Sequence, residues 1–125
     1  MPLEPGLTAT VTVTVADADT ASSLGSGEVD VLGTPRVVAL VEQAAVEAIR
    51  GRLDPAETSV GMRVQLDHLA PTGVGAEVTA EATLEKVQGR RLVFTVAVND
   101  ARGLVAAGRV TRVIVETERF LQKAN

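Results

Sequence analysis

Hydrophobic and polar residues alternate along five segments of the chain. In the first segment, residues 7–16, apolar residues alternate with threonines, and this period of two in β-branched residues predicts a β-strand. The same alternation predicts four later strands, over residues 60–68, 77–85, 91–99 and 104–118. Residues 17–31 show no sustained period, which predicts a loop with room for one short helical turn.

Between this loop and the second strand, the pattern is that of a helix. Thr34 and Pro35 are typical of a helix start, because threonine can cap free N–H groups and proline fits the first turn. The helix is predicted to end near Arg50, where Gly51 can adopt the left-handed conformation that stops helices. Four polar residues form a solvent stripe only about 60° wide, so most of the circumference must be buried. The stripe consists of Arg36, Gln43, Glu47 and Arg50.

This order of elements predicts an α+β fold in which an antiparallel sheet of about five strands wraps around one long helix. That arrangement is the hotdog fold. The 125 residues have the length of a single domain, predicted to span residues 1–125. Only one face of such a sheet meets the helix. The long last strand is expected to be central or at an interface, and to be bulged. Together with the partly apolar outer face of the sheet, this strand predicts a homodimer.

Composition and charge narrow the classes of function. A net charge of −4 and only two aromatic residues disfavour nucleic-acid binding, which needs a basic surface or stacking platforms. With no cysteine and one histidine, a disulfide, a thiolate nucleophile and a multi-histidine metal site are excluded within one chain. The sequence shows no signal-peptide pattern, and its longest near-apolar stretch is shorter than the ~20 residues of a membrane span. We therefore expect a cytoplasmic protein without membrane association.

Two ionisable residues are predicted to lie on apolar faces. Glu42 falls outside the solvent stripe of the helix, and His68 continues the apolar face of the strand at residues 60–68. A carboxylate in such a position is costly unless it has a partner or a wet pocket. A Glu–His pair in a cleft can serve as a general base, and it can equally be a structural buried pair.

Thr34 has both a structural and a functional interpretation. As the residue before Pro35, it is explained as the N-cap of the helix. About 12 Å of helix separates it from Glu42, so the two side chains cannot touch within one straight helix. A site that contains both needs His68, substrate, a bent helix start or a second chain between them.

Three further residues are candidates for substrate binding. Gly33 can let a carbonyl oxygen approach the free N–H groups of the first helical turn. Gly61 marks either a close approach by another backbone segment or by a ligand, or a β-bulge. Arg112 either pairs with a carboxylate at an interface or faces an anion.

The spacing of four of these residues resembles that of the active-site Thr, Glu, Gly and His of the fluoroacetyl-CoA thioesterase family of hotdog proteins: Thr34, Glu42, Gly61 and His68. Three segments also resemble that family, at residues 59–68, 89–92 and 112–120. The resemblance runs from about residue 30 to residue 123 without gaps, and a pattern across separated elements is more specific than a lone motif.

The resemblance implies that a homodimer, with the option of pairing into a tetramer, hydrolyses a small or medium acyl-CoA thioester. It implies that Glu42 is the nucleophile or general base and that His68 activates water and assists the leaving thiolate. Thr34 would hydrogen-bond within this network, and Gly61 and Arg112 would shape the substrate pocket. It implies no metal and no cofactor, since coenzyme A enters as part of the substrate.

One position departs from the family pattern. The fluoroacetyl-specific enzyme closes its pocket with an aromatic residue in the loop before the helix, whereas this chain has Glu28 there. Fluoroacetyl selectivity is therefore not implied, and the acyl preference stays open. The alternatives are a non-catalytic hotdog module that binds acyl-CoA or a small ligand, and a hotdog hydratase. The hydratase is disfavoured because Asp67 falls on the opposite strand face from His68.

Overall fold

The computed structural model describes residues 2–125 and has the predicted α+β architecture, a five-stranded antiparallel sheet around a long helix. The strands are β1 (Thr8–Thr14), β2 (Glu57–His68), β3 (Glu77–Gln88), β4 (Arg91–Asp100) and β5 (Gly103–Glu116). The helices are α1 (Ala21–Leu24), α2 (Thr34–Ala48) and α3 (Thr117–Gln122). The strand order is β1-β3-β4-β5-β2, and every neighbouring pair is antiparallel. The hotdog fold predicted from the sequence is thus confirmed.

The core lies between α2 and the concave face of the sheet. Burial alternates along β3 as far as Leu84 and along β4 as far as Val98, as the period of two predicts. Phe94 is the largest fully buried side chain of the core. The buried face of α2 is rich in small residues, which lets the helix lie close to the strands: Val37, Leu40, Val41, Ala44, Ala45 and Ala48. Each fully buried valine or leucine contributes about 1.5–3 kcal/mol.

Helix α2 starts and ends at residues that differ from the predicted ones. Gly33 is the N-cap, and Thr34 is the first helical residue, so the cap interpretation of Thr34 was wrong. The helix ends at Ala48 rather than near Arg50, although Gly51 has the predicted left-handed conformation, with φ of +79°. Capping by Gly33 leaves the Thr34 hydroxyl free for other partners.

The predicted loop at residues 17–31 contains a 3₁₀ turn at residues 17–19 and the short helix α1. It packs on the start of α2, where Arg36 forms a 2.9 Å ion pair with Asp19. A Cβ on Gly33 would lie 3.0 Å from the backbone of Ala21. A side chain at position 33 would therefore push α1 away from the helix start.

β2 is the strand that departs most from the prediction. It lies at the edge of the sheet. Two residues of its predicted apolar face are exposed to solvent, Met62 at 47% and Val64 at 37%. Its pairing register with β5 shifts between Gly61 and Arg63, which is a β-bulge. The prediction of one unbroken alternation along this strand was therefore wrong.

The last strand has the predicted irregularity and a shorter extent. β5 lies between β4 and β2, and its register with β4 shifts at Val98/Asn99, which confirms the expected bulge. It ends at Glu116, and the following residues form α3 instead of prolonging the strand.

Candidate active site

Thr34 and His68 meet at the N-terminal end of α2. Oγ1 of Thr34 lies 2.8 Å from Nδ1 of His68, the last residue of β2. This hydrogen bond joins the helix start to the strand end and fixes the orientation of the imidazole. Within residues 2–125, Nε2 of His68 is buried and has no hydrogen-bond partner. Such an atom costs about 1–3 kcal/mol, so the isolated chain leaves the histidine incompletely satisfied.

A second polar cluster forms around the middle of α2. Oε2 of Glu42 lies 3.0 Å from Nη1 of Arg112, whose other donors both bind Ser59. Nε of Arg112 donates to the Ser59 hydroxyl at 2.9 Å, and Nη2 donates to the Ser59 carbonyl at 2.9 Å. Arg112 is therefore held on two sides and presents its third side to the carboxylate. Within the chain, Arg112 pairs with Glu42, so its predicted roles in an interface pair or in facing an anion stay predictions.

Exposure differs strongly between the two charged groups of this cluster. The Arg112 side chain is 8% exposed, and burial lowers its pKa from the ordinary value, while the neighbouring Glu42 carboxylate acts in the opposite direction. The Glu42 side chain is 32% exposed, which is more than its predicted place on a dry face allows. Glu42 thus combines a fixed cationic partner with access to water.

Gly61 makes room for the Glu42 carboxylate. A Cβ at position 61 would lie only 2.3 Å from Oε2 of Glu42 and 3.7 Å from Nη1 of Arg112. The carboxylate therefore occupies the space that a side chain would fill on any other residue. The bulge interpretation of Gly61 is confirmed, and the group that approaches the glycine closely is the Glu42 side chain.

The bulge also decides which groups share a face of β2. Strict alternation would put Gly61 and His68, seven positions apart, on opposite faces. Because the bulge inserts one extra residue between them, both contact α2, Gly61 at Glu42 and His68 at Thr34. The concave face of β2 therefore carries both polar clusters.

The expected pairing of Glu42 with His68 is not formed within one chain. Each has another partner, and the strand distance from Gly61 to His68 is roughly 20 Å. The structure thus brings together Thr34 with His68, and Glu42 with Gly61 and Arg112, as two half-sites. One half-site lies at the end of the edge strand β2, at His68, and the other lies at Gly61, closer to the start of the strand.

Ser59 is the residue that sequence reasoning missed as part of the site. It is buried at 9% relative exposure and supplies two of the three groups that orient Arg112. An unbroken alternation placed it on the outer face with Gly61. The odd spacing between Gly61 and His68 was the signal that a bulge must separate them.

A cavity of about 300 Å³ opens beside Thr34 and His68. Its other walls are largely apolar and include Val29, Val31 and Leu69. Gly33, which the sequence suggests as a substrate-binding residue, also lines it. Within residues 2–125, no three His, Asp or Glu side chains lie close enough together to ligate a metal ion. No helix in the same range is long and apolar enough to cross a membrane.

Comparison with known proteins gives a consistent set of relatives. The family model described as fluoroacetyl-CoA-specific thioesterase matches residues 15–118. A fluoroacetyl-CoA thioesterase of Streptantibioticus cattleyicolor is 35% identical over 94 residues, which are 75% of this chain and 68% of that protein. The solved structure of the fluoroacetyl-CoA thioesterase FlK superposes with a TM-score of 0.94 at 29% identity, covering 99% of this chain and 96% of that one. A hot-dog-like protein from Thermanaerovibrio acidaminovorans superposes with a TM-score of 0.89 at 28% identity, covering 98% and 90%.

Proposed function

Because this chain belongs to the fluoroacetyl-CoA-specific thioesterase family, we propose that it hydrolyses acyl-CoA thioesters with Thr34, Glu42 and His68 as its catalytic groups. The observation that supports these roles is the pair of half-sites on the concave face of β2. One half-site offers a water-accessible carboxylate, and the other offers an oriented imidazole. General acid–base chemistry on a thioester needs this combination of groups.

The reaction adds water to the thioester and splits its C–S bond. Glu42 either removes a proton from the attacking water or attacks the carbonyl carbon itself, and water then releases the acid. His68 orients the water and supplies the proton that the departing thiolate takes up. Thr34 holds the imidazole, and Arg112 holds the carboxylate at 3.0 Å. The products are the free acid and the thiol of coenzyme A.

The start of α2 offers one donor for the oxyanion that develops on the carbonyl oxygen. The N–H groups of Arg36 and Val37 donate to Gly33 O, and Pro35 has no N–H. The Thr34 N–H is thus the first-turn donor that stays available, next to the Thr34–His68 pair. A donor fixed beside the reacting carbonyl stabilises the transition state more than the ground state. With this donor and an already activated thioester, the reaction needs no added cofactor.

Two copies of the chain complete the site in this proposal. The edge strand β2 has 12 residues and exposes Met62 and Val64, and an open apolar edge of this kind favours pairing with another strand. Because the bulge between Gly61 and Arg63 takes up one residue, antiparallel pairing about an axis through Gln65 sets Gly61 opposite His68 of the partner subunit. Opposite side chains lie about 4.5–5.5 Å apart, so Glu42 of one protomer then meets the imidazole of its partner.

Thiol release from a panel of acyl-CoAs, from acetyl to octanoyl, tests the catalytic assignment. Wild-type protein should release free thiol, and Glu42→Ala and His68→Ala should each lower kcat at least 10²-fold. Gln43→Ala, which alters the next and exposed residue of α2, is the matched control and should keep wild-type rates. Equal rates for wild type and Glu42→Ala would overturn the assignment.

Mixing the two inactive variants tests whether the site is shared. Dissociation and reassociation of Glu42→Ala with His68→Ala gives heterodimers in which one of two shared sites is intact. An equal mixture should recover about a quarter of wild-type activity, because half of the dimers are mixed and half of their sites are complete. No recovery, with mixed dimers verified by native mass spectrometry, would place the whole site in one chain.

The finer expectations from the sequence stay predictions of this proposal. They are the cytoplasmic location, the pairing of dimers into a tetramer and the absence of a metal. The acyl group is expected to be small or medium, since the cavity at Thr34 and His68 measures about 300 Å³. Glu28 is exposed in the loop before α2, so a fluoroacetyl-selective aromatic gate is not part of the proposal.

A further inference from the structure

The outer face of β2 carries two opposite charges that have no partner in their own chain. Arg63 and Asp67 are both exposed and lie on either side of Gln65, on the face opposite to Leu66 and His68. Within residues 2–125, neither charge forms an ion pair. Four positions of extended strand separate them by about 13 Å, which is too far for them to pair with each other.

The neighbouring strand β5 does not neutralise these charges either. Arg63 lies opposite Thr111, and Asp67 lies opposite Ala107. The one cation between these two positions of β5 is Arg109, and it pairs with Glu85 at 3.1 Å. No strand of residues 2–125 lies on the other side of β2, so both charges stand beside the open edge of the sheet.

Two-fold pairing of β2 with a second copy of the chain supplies both missing partners. With the axis through Gln65, Arg63 lies opposite Asp67 of the partner subunit, and the symmetry forms this pair twice. Opposite residues of antiparallel strands are about 4.5–5.5 Å apart, which allows an ion pair. On the concave face, the same register packs Val64, which is 37% exposed, against Leu66 of the partner subunit.

Other registers lose these contacts. The two concave faces stay on the same side of the joined sheet only when the strands slip by two residues at a time. An axis one residue to either side of Gln65 puts Arg63 opposite an uncharged residue, and an axis through Arg63 or Asp67 puts like charges opposite each other, which is destabilising. Each slip also moves the strands by about 7 Å, so that Gly61 no longer lies opposite His68 of the partner subunit.

We infer that Arg63 and Asp67 form two ion pairs across the dimer, and that these pairs select the register in which the half-sites combine. The inference rests on the proposed function, because the shared site is what this register assembles. Arg63 and Asp67 are positioning residues. They touch no reacting atom and act by placing the partner's His68 beside Glu42.

Reversing one charge at a time tests the inference. Arg63→Asp and Asp67→Arg each give a homodimer with two like-charge pairs, and we expect the dissociation constant of the dimer to rise at least tenfold. Mixed dimers of the two variants restore both opposite-charge pairs. If each homodimer is weakened tenfold, mixed dimers should make up about 90% of all dimers in native mass spectrometry, instead of the statistical half.

Thiol release shows whether the restored pairs also restore the site. At a chain concentration equal to the wild-type dissociation constant, each variant alone should release thiol at least about threefold more slowly than wild type, and the mixture should recover the wild-type rate. The double variant Arg63→Asp/Asp67→Arg exchanges the two charges within one chain. It should recover both the dimer affinity and the rate without a second variant.

Reversals elsewhere on the outer face provide the control. Arg91→Asp and Glu81→Arg change exposed residues of β4 and β3, strands that do not border the open edge. Mixing these two variants should give the statistical half of mixed dimers.

The outcomes separate this inference from the proposed function. A statistical half of mixed dimers from Arg63→Asp and Asp67→Arg, or a double variant as weakly associated as the single ones, would overturn the inference. Preferred mixed dimers that stay inactive beside an active wild type would also overturn it, because the pairs would then form without setting the productive register. If wild type releases no thiol from any acyl-CoA, the proposed function fails, and the dissociation constants and mixed-dimer fractions still test the ion pairs.

Discussion

Replacing Gly61 with alanine tests whether the position of the Glu42 carboxylate controls turnover. The new Cβ would lie 2.3 Å from Oε2 of Glu42, and ordinary van der Waals contact begins at 3.4 Å. The carboxylate must therefore move by the difference, about 1.1 Å, and its 3.0 Å contact with Arg112 is lost or lengthened. A misplacement of about 1 Å in a reacting group costs roughly 10²-fold in rate, or about 2.7 kcal/mol of barrier.

The same substitution should hardly change the stability of the fold. Gly61 does not have positive φ, so alanine fits its backbone conformation, and the close atom is the end of a flexible side chain. In strand geometry, alanine also loses less conformational entropy than glycine on folding. We expect the free energy of unfolding to change by less than about 1 kcal/mol.

Steady-state thiol release and thermal unfolding separate these two effects. Gly73→Ala is the matched control, because its added Cβ would meet no atom within 4 Å and its φ is not positive. The control should keep wild-type kcat and Tm. If Gly61→Ala retained kcat within twofold of wild type while folding normally, the carboxylate would not need its observed position and the reasoning would fail.

Two further predictions concern other parts of the structure. Ser59→Ala removes the hydroxyl that accepts from Arg112 Nε at 2.9 Å, which should destabilise the protein by about 1–3 kcal/mol and lower kcat. Ser59→Thr should restore kcat if the hydroxyl positions Arg112, and failure to do so would point to packing alone. The Thr72 hydrogen bond lowers the pKa of Asp100 below 3.8. Asp100 therefore contributes stability that is present above pH 3.8 and lost as the pH falls through its folded pKa. Asp100→Asn should make the free energy of unfolding depend less on pH below pH 4, in acid unfolding monitored by circular dichroism. An unchanged pH dependence would contradict this role.

The sequence predicts the fold well where one side of an element is buried. Burial alternates along β3 as far as Leu84 and along β4 as far as Val98, because these parts of the strands lie inside the sheet and face α2, so hydrophobic periodicity maps directly onto burial. The C-terminal end is less predictable. The predicted strand ran to residue 118, yet residues 117–122 form α3, because no neighbouring strand extends far enough to pair with them.

The sequence predicts most residues of the candidate site but not their arrangement. The spacing of Thr34, Glu42, Gly61 and His68 led to residues that lie in the two half-sites, whereas Ser59 was missed. Their pairing depends on a bulge, which adds one residue without changing the local sequence pattern. Alternation also cannot tell an edge strand from an inner strand, so the expected burial of Met62 was wrong. The period of the apolar side chains shows which face of a strand is apolar. It does not show whether that face is covered by residues of the same chain or by a second chain.

The open edge of β2 connects assembly with catalysis in the proposed dimer. A strand of 12 residues with one unpaired edge and exposed apolar side chains favours aggregation in solution, because that edge can pair with the edges of unrelated sheets. Pairing with its own copy removes that edge and, in the register that sets Gly61 opposite the partner's His68, also brings the two half-sites together. Neither half-site has the other's chemistry, since one lacks the imidazole and the other lacks the carboxylate. Activity should therefore follow the dimer concentration rather than the chain concentration, and dilution below the dimer dissociation constant should lower kcat per chain.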